Sequence, residues 1–525
     1  MIKNLIIGNY FGSRSRTFGI CIFTSAILFA LGSISCAALN DNGYYASGAD
    51  YEAGTPKYDY INPEESDESG DKFDEIIDNP FVKTSEENIS TFSMDADSAA
   101  YTYMRRILKN DELPNKSSVR IEEYLNYFTF DYADPDDGVT VALNSEISAC
   151  PWNNEHYLVR LGIKGKSIAK ENLPLNNYVF LIDVSGSMDG SDRLGLLKKC
   201  LIKMVDSMNP KDRISIVTYS GKEELLLEST LVENKDLIVK KINELVASGC
   251  TNGASAIEMA YNEALQHYIE GGNNRIIMGT DGDFNVGITK TEDLLELVQN
   301  YAKQEKSVYL TVCGFGYGNW NDAMMEKISN KGNGTYVYVD SEEEMQKVFI
   351  DETSRFVSVA NDCKAQVTFN KDLVDSYRLI GYENRVLSKE DFENDEVDAA
   401  EIGAGQTITA LYEIVPTEAG KYNQETKAFG AQVFNFDFRY KENLKDESKL
   451  LTSSPAVFAE TCSENMRFAQ AVAAYGMVLR ESEYKGTATL SMVIDLIGNG
   501  FSFDPYNRRE KFEELVRKAK ELKKD

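Results

Sequence analysis

Short apolar runs alternate with longer amphipathic segments along residues 176–356. The runs are too short for isolated helices and predict strands, which we place at 178–182, 213–219, 224–229, 275–279, 308–313 and 335–339. The intervening segments predict helices at 193–208, 236–247, 254–269, 291–306, 321–330 and 342–356. This alternation predicts an α/β domain with a doubly wound, mostly parallel sheet covered on both faces. The run at 224–229 follows its predecessor too closely for a crossover helix, so we expect it to pair antiparallel at an edge.

Strand-like segments stand on both sides of this α/β region. Strands are predicted before it at 139–148 and 156–164, and after it at 363–370, 376–382, 406–415 and 431–441. Because the two groups flank the region, we expect them to join into one β-sandwich from which it projects. Helices are predicted at 97–109 and 117–128, and two apolar stripes, from Phe468 to Leu479 and from Phe512 to Leu522, predict C-terminal helices.

These elements divide the chain of 525 residues into six parts. A hydrophobic content of 42% is enough for several cores, so more than one domain is expected. The predicted parts are an export signal at 1–36, an acidic disordered linker at 37–79, an N-terminal helical and β segment at 80–175, the α/β domain at 176–356, a β-rich domain at 357–460 and a C-terminal helical region at 461–525.

The first residues have the pattern of an export signal. Lys3, Arg14 and Arg16 precede an apolar stretch at 18–34, and small residues lead to Cys36. Residues 33–36 resemble a bacterial lipobox, although Ser33 stands where leucine is usual. The resemblance implies lipidation of Cys36 and a protein tethered to the cell membrane, facing outside the cytoplasm. An uncleaved signal anchor is the alternative, because the apolar stretch is at the lower limit for spanning a bilayer.

Composition excludes several classes of protein. The formal net charge of −29 argues against nucleic-acid binding, which needs clustered Lys and Arg. Only two His are present, so zinc sites and histidine general bases have little raw material. The eight Cys include no C-x-x-C pair, and Cys200 and Cys313 are expected to be buried thiols, with disulfides left open.

Oxygen-bearing side chains follow the ends of the predicted elements. Asp183, Ser185 and Ser187 come after the strand at 178–182, Asp281 comes after the strand at 275–279, and Thr251 precedes the helix at 254–269. Carboxyl ends of parallel strands share one edge of a sheet, where ligands bind. Oxygen ligands suit a hard divalent cation, Mg²⁺ before Ca²⁺ or Mn²⁺. Thr251 alone would also suit a helix N-cap.

This D-x-S-x-S, Thr, Asp pattern resembles the metal-ion-dependent adhesion site of von Willebrand factor type A (VWA) domains, which have a Rossmann-like fold. The resemblance implies that Ser185, Ser187 and Thr251 supply ligating hydroxyls. It also implies that Asp183 and Asp281 act mostly through metal-bound waters. An open coordination position would then accept a carboxylate from a protein partner.

A second resemblance covers most of the chain from residue 80 onward. The run NISTFSMDADSAAYTYMRRIL, the run LPNKSSVRIEEYLNYFTFDY and the ending GFSFDPYNRREKFEELVRKAK resemble a bacterial VWA subfamily labelled Ca-activated chloride channel-like. Its C-terminal region has no function known to us. No stretch beyond the N-terminal one could span a bilayer, so the channel label has no support here.

These observations predict a non-enzymatic, envelope-tethered module for metal-dependent adhesion or protein binding. One alternative is a structural envelope protein whose metal site stabilises loops. A Mg²⁺-dependent phosphatase of the haloacid dehalogenase type is a second alternative. It is disfavoured because such enzymes need a carboxylate two residues after the nucleophile, where Ser185 stands.

Overall fold

The computed structural model describes residue 71 and residues 73–94, 97–249, 253–282, 291–318, 321–395, 397, 399–498 and 500–524. All of them belong to one unit of the chain, residues 62–525. The predicted signal and Cys36 lie outside the described residues. The linker prediction is wrong for its last residues, because Asp71 and Phe73 are buried and Asn79 donates a hydrogen bond to the Gly381 carbonyl at 2.8 Å.

The strands are distributed over residues 82–458 of the chain. They are β1 (Val82–Lys83), β2 (Ile89–Ser93), β3 (Val141–Ala149), β4 (Tyr157–Gly165), β5 (Asn176–Asp183), β6 (Arg213–Ser220), β7 (Lys222–Leu231), β8 (Asn273–Thr280), β9 (Tyr309–Gly314), β10 (Tyr336–Tyr338), β11 (Ser358–Phe369), β12 (Val374–Ile380), β13 (Val386–Leu387), β14 (Ala400–Gly403), β15 (Thr407–Pro416), β16 (Phe434–Lys441), β17 (Lys449–Thr452) and β18 (Val457–Phe458).

The α-helices are distributed over the whole described chain. They are α1 (Ala99–Lys109), α2 (Ile121–Asn126), α3 (Leu194–Ser207), α4 (Lys235–Glu244), α5 (Ala254–Gln266), α6 (Thr291–Ala302), α7 (Asp322–Lys331), α8 (Glu342–Gln346), α9 (Glu464–Arg480), α10 (Leu490–Ile497) and α11 (Arg508–Lys523). Among the residues that the structure describes, no helix is long and apolar enough to cross a membrane.

The central sheet has the strand order β10-β9-β8-β5-β6-β7 and is parallel except for β7. β5 alternates its buried side chains between two cores. Val179 and Leu181 pack with α5, α6 and α7, whereas Phe180 and Ile182 pack with α3 and α4. The predicted doubly wound α/β fold is therefore confirmed, together with the antiparallel edge strand.

Two further sheets pack face to face as the predicted sandwich. One has the order β1-β12-β15-β4-β3-β18, and the other has β13-β2-β11-β16-β17, with β14 also paired to β11. Their inner faces share one core, to which Leu161 and Phe436 contribute from opposite sheets. Each sheet draws strands from both sides of the α/β domain, so the sandwich forms only when distant parts of the chain meet. β2 was not predicted.

A helical layer of α1, α2, α9, α10 and α11 covers the sandwich, and its core is rich in aromatic rings. The sequence predicted one buried stripe along α9. Nearly the whole helix is buried instead, because it has neighbours on all sides. The helix predicted at 117–128 is also shorter than expected. Arg120 has extended backbone angles, and α2 begins only after it.

The side chain of Arg120 joins the helical layer to the α/β domain. Its guanidinium pairs with Glu123 of α2 at 3.2 Å, and with Asp322 and Glu326 of α7 at 3.0 and 2.7 Å. All four side chains are buried. Removing one member of such a group would leave uncompensated buried charge, so these pairs fix α7 against α2.

Glu122→Gln is expected to make stability less dependent on pH. Burial, with Glu383 nearby, raises the pKa of Glu122 from 4.5 to about 7. The folded state thus holds this proton more tightly than the unfolded chain does, and the resulting stability is lost as pH rises from 4.5 through 7. The free energy of unfolding of the variant should exceed that of the unchanged protein by an amount that grows over this interval to about 1–3 kcal/mol.

Urea denaturation at pH 5, 6, 7 and 8 measures this difference. Glu296→Gln, at an exposed position on α6, is the matched control and should give a small difference at every pH. A Glu122→Gln protein that is less stable than the unchanged protein at pH 8 would contradict the assignment.

Candidate metal site

The parallel register of β5 and β8 brings Asp183 and Asp281 to the same edge of the central sheet. Ile182 lies beside Gly279, so Asp183 at the end of β5 neighbours Thr280 at the end of β8. The Thr280 hydroxyl donates to Asp183 Oδ2 at 3.2 Å. Asp281 follows at once, and both carboxylates are buried, with 0% and 3% exposure. The structure therefore brings together two side chains that are 98 positions apart in the sequence.

The two predicted serine ligands meet above Asp183. The Ser185 amide donates to Asp183 Oδ1 at 2.8 Å, which folds the chain back over the carboxylate. A short 3₁₀ turn at Gly186–Met188 then places Ser187 Oγ 2.9 Å from Ser185 Oγ. Ser185 is buried, with 2% exposure, whereas Ser187 is half-buried and Gly186 is exposed, so the hydroxyl pair reaches the surface through Ser187.

A third segment is hydrogen-bonded to this turn. The Gly186 amide donates to the Gly249 carbonyl at 3.1 Å, and the Ser248 amide donates to the Val184 carbonyl at 2.7 Å. Gly249 has φ of +81°, and a side chain there would meet the Ser220 hydroxyl. Thr251 lies two positions further on, outside the described residues. Its ligand role stays a prediction.

The electrostatics of the edge suit a cation. Burial, and to a smaller extent the Asp281 carboxylate, raises the pKa of Asp183 to about 6, while hydrogen bonds from Ser185 oppose this rise. Two desolvated carboxylates and the two serine hydroxyls offer only oxygen donors, which is the set that Mg²⁺ and Mn²⁺ accept. Over the described residues, no cluster of three or more His, Cys, Asp or Glu side chains forms a metal site. Metal binding here would therefore depend on the serine hydroxyls.

The sequence analysis did not predict several residues that lie at this edge. Thr280 immediately precedes Asp281, and this adjacency was the available signal. Ser220 and Arg193 carried no signal, because their contacts join distant loops. The Ser220 hydroxyl donates to the Ser248 carbonyl, and Arg193 Nη1 donates to the Ser187 carbonyl at 2.7 Å. Asp189, outside the motif, is exposed.

The other reactive side chains are accounted for by packing. The predicted buried thiols Cys200 and Cys313 are free and buried, as are Cys150 and Cys363. His156 lies 2.6 Å from Glu413 through Nδ1. Glu413 also accepts from Trp152 and Arg378, so this histidine belongs to a buried ion-pair network.

Three family models match consecutive parts of the chain. The von Willebrand factor type A domain matches residues 177–351, a model described as von Willebrand factor matches 67–160, and the C-terminal part of the uncharacterized protein YfbK matches 354–522. The YfbK protein of Escherichia coli K12 is 36% identical over 466 residues, which cover 85% of this chain and 81% of that protein. The chain belongs to the YfbK family.

Two further proteins show a weaker similarity to this YfbK-family protein. Human inter-alpha-trypsin inhibitor heavy chain H3 is 29% identical over 189 residues, which cover 34% of this chain and only 21% of that protein. A solved structure described as von Willebrand factor type A from Catenulispora acidiphila covers 74% of this chain and 91% of its own, with a TM-score of 0.42 and 16% identity. The predicted VWA domain is confirmed, and VWA domains commonly mediate protein–protein binding.

Ser185→Ala is expected to weaken metal binding strongly while leaving the fold intact. The substitution removes one of the two hydroxyls that meet at 2.9 Å, and losing a direct ligand should lower Mn²⁺ affinity at least about tenfold. Isothermal titration with MnCl₂ measures the affinity. Ser207→Ala, at the far end of α3, is the matched control. Equal affinity in both variants would contradict the assignment.

Proposed function

We propose that this YfbK-family protein is a non-enzymatic binding protein tethered to the cell envelope. In this proposal a divalent cation, Mg²⁺ or else Ca²⁺ or Mn²⁺, links the VWA domain to a carboxylate of a protein partner. Ser185, Ser187 and the predicted ligand Thr251 would hold the cation by their hydroxyls. Asp183 and Asp281 would balance its charge. When bound, the cation would supply an electrophilic centre for the partner carboxylate.

The observation that carries the proposal is the grouping of the donors, with one of them open to solvent. The Ser185 and Ser187 hydroxyls approach to 2.9 Å, Ser187 is half-buried, and Ser185 is buried together with the two carboxylates. A cation on the hydroxyls would thus keep one side toward solvent. Neutral hydroxyl ligands also withdraw little of its charge, which favours capture of an anionic group from outside.

The net charge supports a cation-mediated contact. A chain with a formal charge of −29 repels a carboxylate at long range. A divalent cation at the contact replaces local repulsion with attraction. Binding should therefore require the metal.

The tether is proposed from the sequence. The basic start, the apolar stretch at 18–34 and Cys36 support a lipid anchor at the cell membrane with the folded part facing outside the cytoplasm. An adhesion module would there meet partners on surfaces or in the surrounding medium. No nucleic acid is expected among those partners.

Capture of surface proteins on the immobilised protein tests the proposal. Proteins retained with Mg²⁺ should elute with EDTA and should be absent from a column carrying the Ser185→Ala variant. The Ser207→Ala column should retain the same proteins as the unchanged protein.

The same experiment separates adhesion from a loop-stabilising metal. A purely structural metal would raise the melting temperature of the protein but leave the retained proteins unchanged in EDTA. Retention that is equal on the unchanged and Ser185→Ala columns would contradict metal-dependent binding.

A further inference from the structure

Arg193 joins the turn that carries the serine pair to a second loop of the VWA domain. Its Nη1 donates to the Ser187 carbonyl at 2.7 Å, and its Nη2 donates to the Tyr317 carbonyl at 2.5 Å. Tyr317 belongs to the loop that follows β9, the strand next to β8. One guanidinium therefore ties the backbone of a predicted metal ligand to the neighbouring end of the sheet. Its planar fork suits two such carbonyls.

The second loop is shaped to receive this guanidinium. Gly316 has φ of +85°, and a side chain there would place its Cβ 2.4 Å from Arg193 Nε. Only glycine therefore allows the close approach. Arg193 also stands immediately before α3, so its backbone is held by the helix that it introduces. The position of the Ser187 carbonyl is thus fixed from a rigid element.

The N-terminal helix α1 holds both sides of this bridge. Arg106 of α1 donates to Asp192, the residue before Arg193, at 2.7 Å, and its guanidinium lies 5.5 Å from the centre of the Tyr317 ring. Asp71 accepts a hydrogen bond from the Gly318 amide at 3.2 Å. The Tyr103 hydroxyl of α1 donates to the same Asp71 carboxylate at 2.7 Å. The segment that precedes the VWA domain thus reaches the loops beside the candidate metal site.

We propose that Arg193 is a positioning residue for the metal site and that α1 controls that site through the contact between Arg106 and Asp192. This inference rests on the metal site of the proposed function. Arg193 does not touch the cation in this account; it sets the distance between the two serine hydroxyls by holding the Ser187 carbonyl. A change in how α1 packs would alter metal affinity, and through it partner binding.

The alternative is that Arg193 only stabilises the loops. A stabilising residue would lower the melting temperature of the metal-free protein when replaced, without changing metal affinity at a temperature where the protein is folded. A positioning residue would change the affinity itself. Outer partners that orient metal ligands typically account for about 10–100-fold in affinity.

Isothermal titration of the full chain with MnCl₂ at 25 °C, paired with melting of the metal-free protein, distinguishes the two roles. Arg193→Met should weaken Mn²⁺ binding at least about tenfold, and Arg193→Lys, which can still reach one carbonyl, should weaken it less. Arg106→Met should weaken it in the same direction, although it touches neither serine. Arg213→Met, at the opposite end of the sheet, is the matched control and should bind Mn²⁺ normally.

Two results would overturn the inference. If Arg193→Met and Arg106→Met bind Mn²⁺ as tightly as the unchanged protein does, Arg193 is a structural residue, and the proposed function stands without it. If Arg193→Met does not fold, normal affinity in Arg193→Lys and Arg106→Met overturns it equally. Absence of Mn²⁺ binding by the unchanged protein would instead refute the metal site, and the inference would fall with it.

Discussion

The burial of two carboxylates side by side is the constraint on which the candidate metal site depends. β5 and β8 run parallel in adjacent positions, and their register brings Asp183 and Asp281 to the same edge of the central sheet. Like charges removed from water destabilise the folded state unless they are protonated or neutralised. Hydrogen bonds from Ser185 and Thr280 orient the Asp183 carboxylate but supply no positive charge. A cation over the hydroxyl pair would supply it.

The VWA domain is held firmly by the rest of the chain. Arg105 of α1 pairs with Asp340, which precedes α8, at 2.5 Å and with Glu344 of α8 at 2.7 Å, and Arg508 of α11 pairs with Glu352 at 2.6 Å. Together with the Arg120 group at α7, these largely buried pairs fix the domain at several points. In some proteins buried ion pairs specify one arrangement rather than adding net stability. Here the pairs hold the VWA domain, with its candidate metal site, against the helical layer.

The sequence predicted the parts whose signal is local. Apolar runs such as 178–182 predicted the strands of the central sheet. The oxygen-bearing residues that follow these runs, Asp183, Ser185, Ser187 and Asp281, were predicted to lie at one edge of the sheet. β2 was missed because Ser90, Thr91 and Ser93 give it a polar composition. It is a strand because β11 and β13 pair with it from far away in the chain. The break before α2 and the bridge made by Arg193 were invisible for the same reason, since both depend on partners that only the fold brings near.

Anomalous diffraction from a crystal of the protein grown with Mn²⁺ would show directly whether a cation binds at this edge. We expect an anomalous peak within coordination distance of Ser185 Oγ and Ser187 Oγ, close to Asp183 and Asp281. A crystal that is saturated with Mn²⁺ but shows no peak at this edge, with the two hydroxyls still hydrogen-bonded to each other, would contradict the proposed metal site.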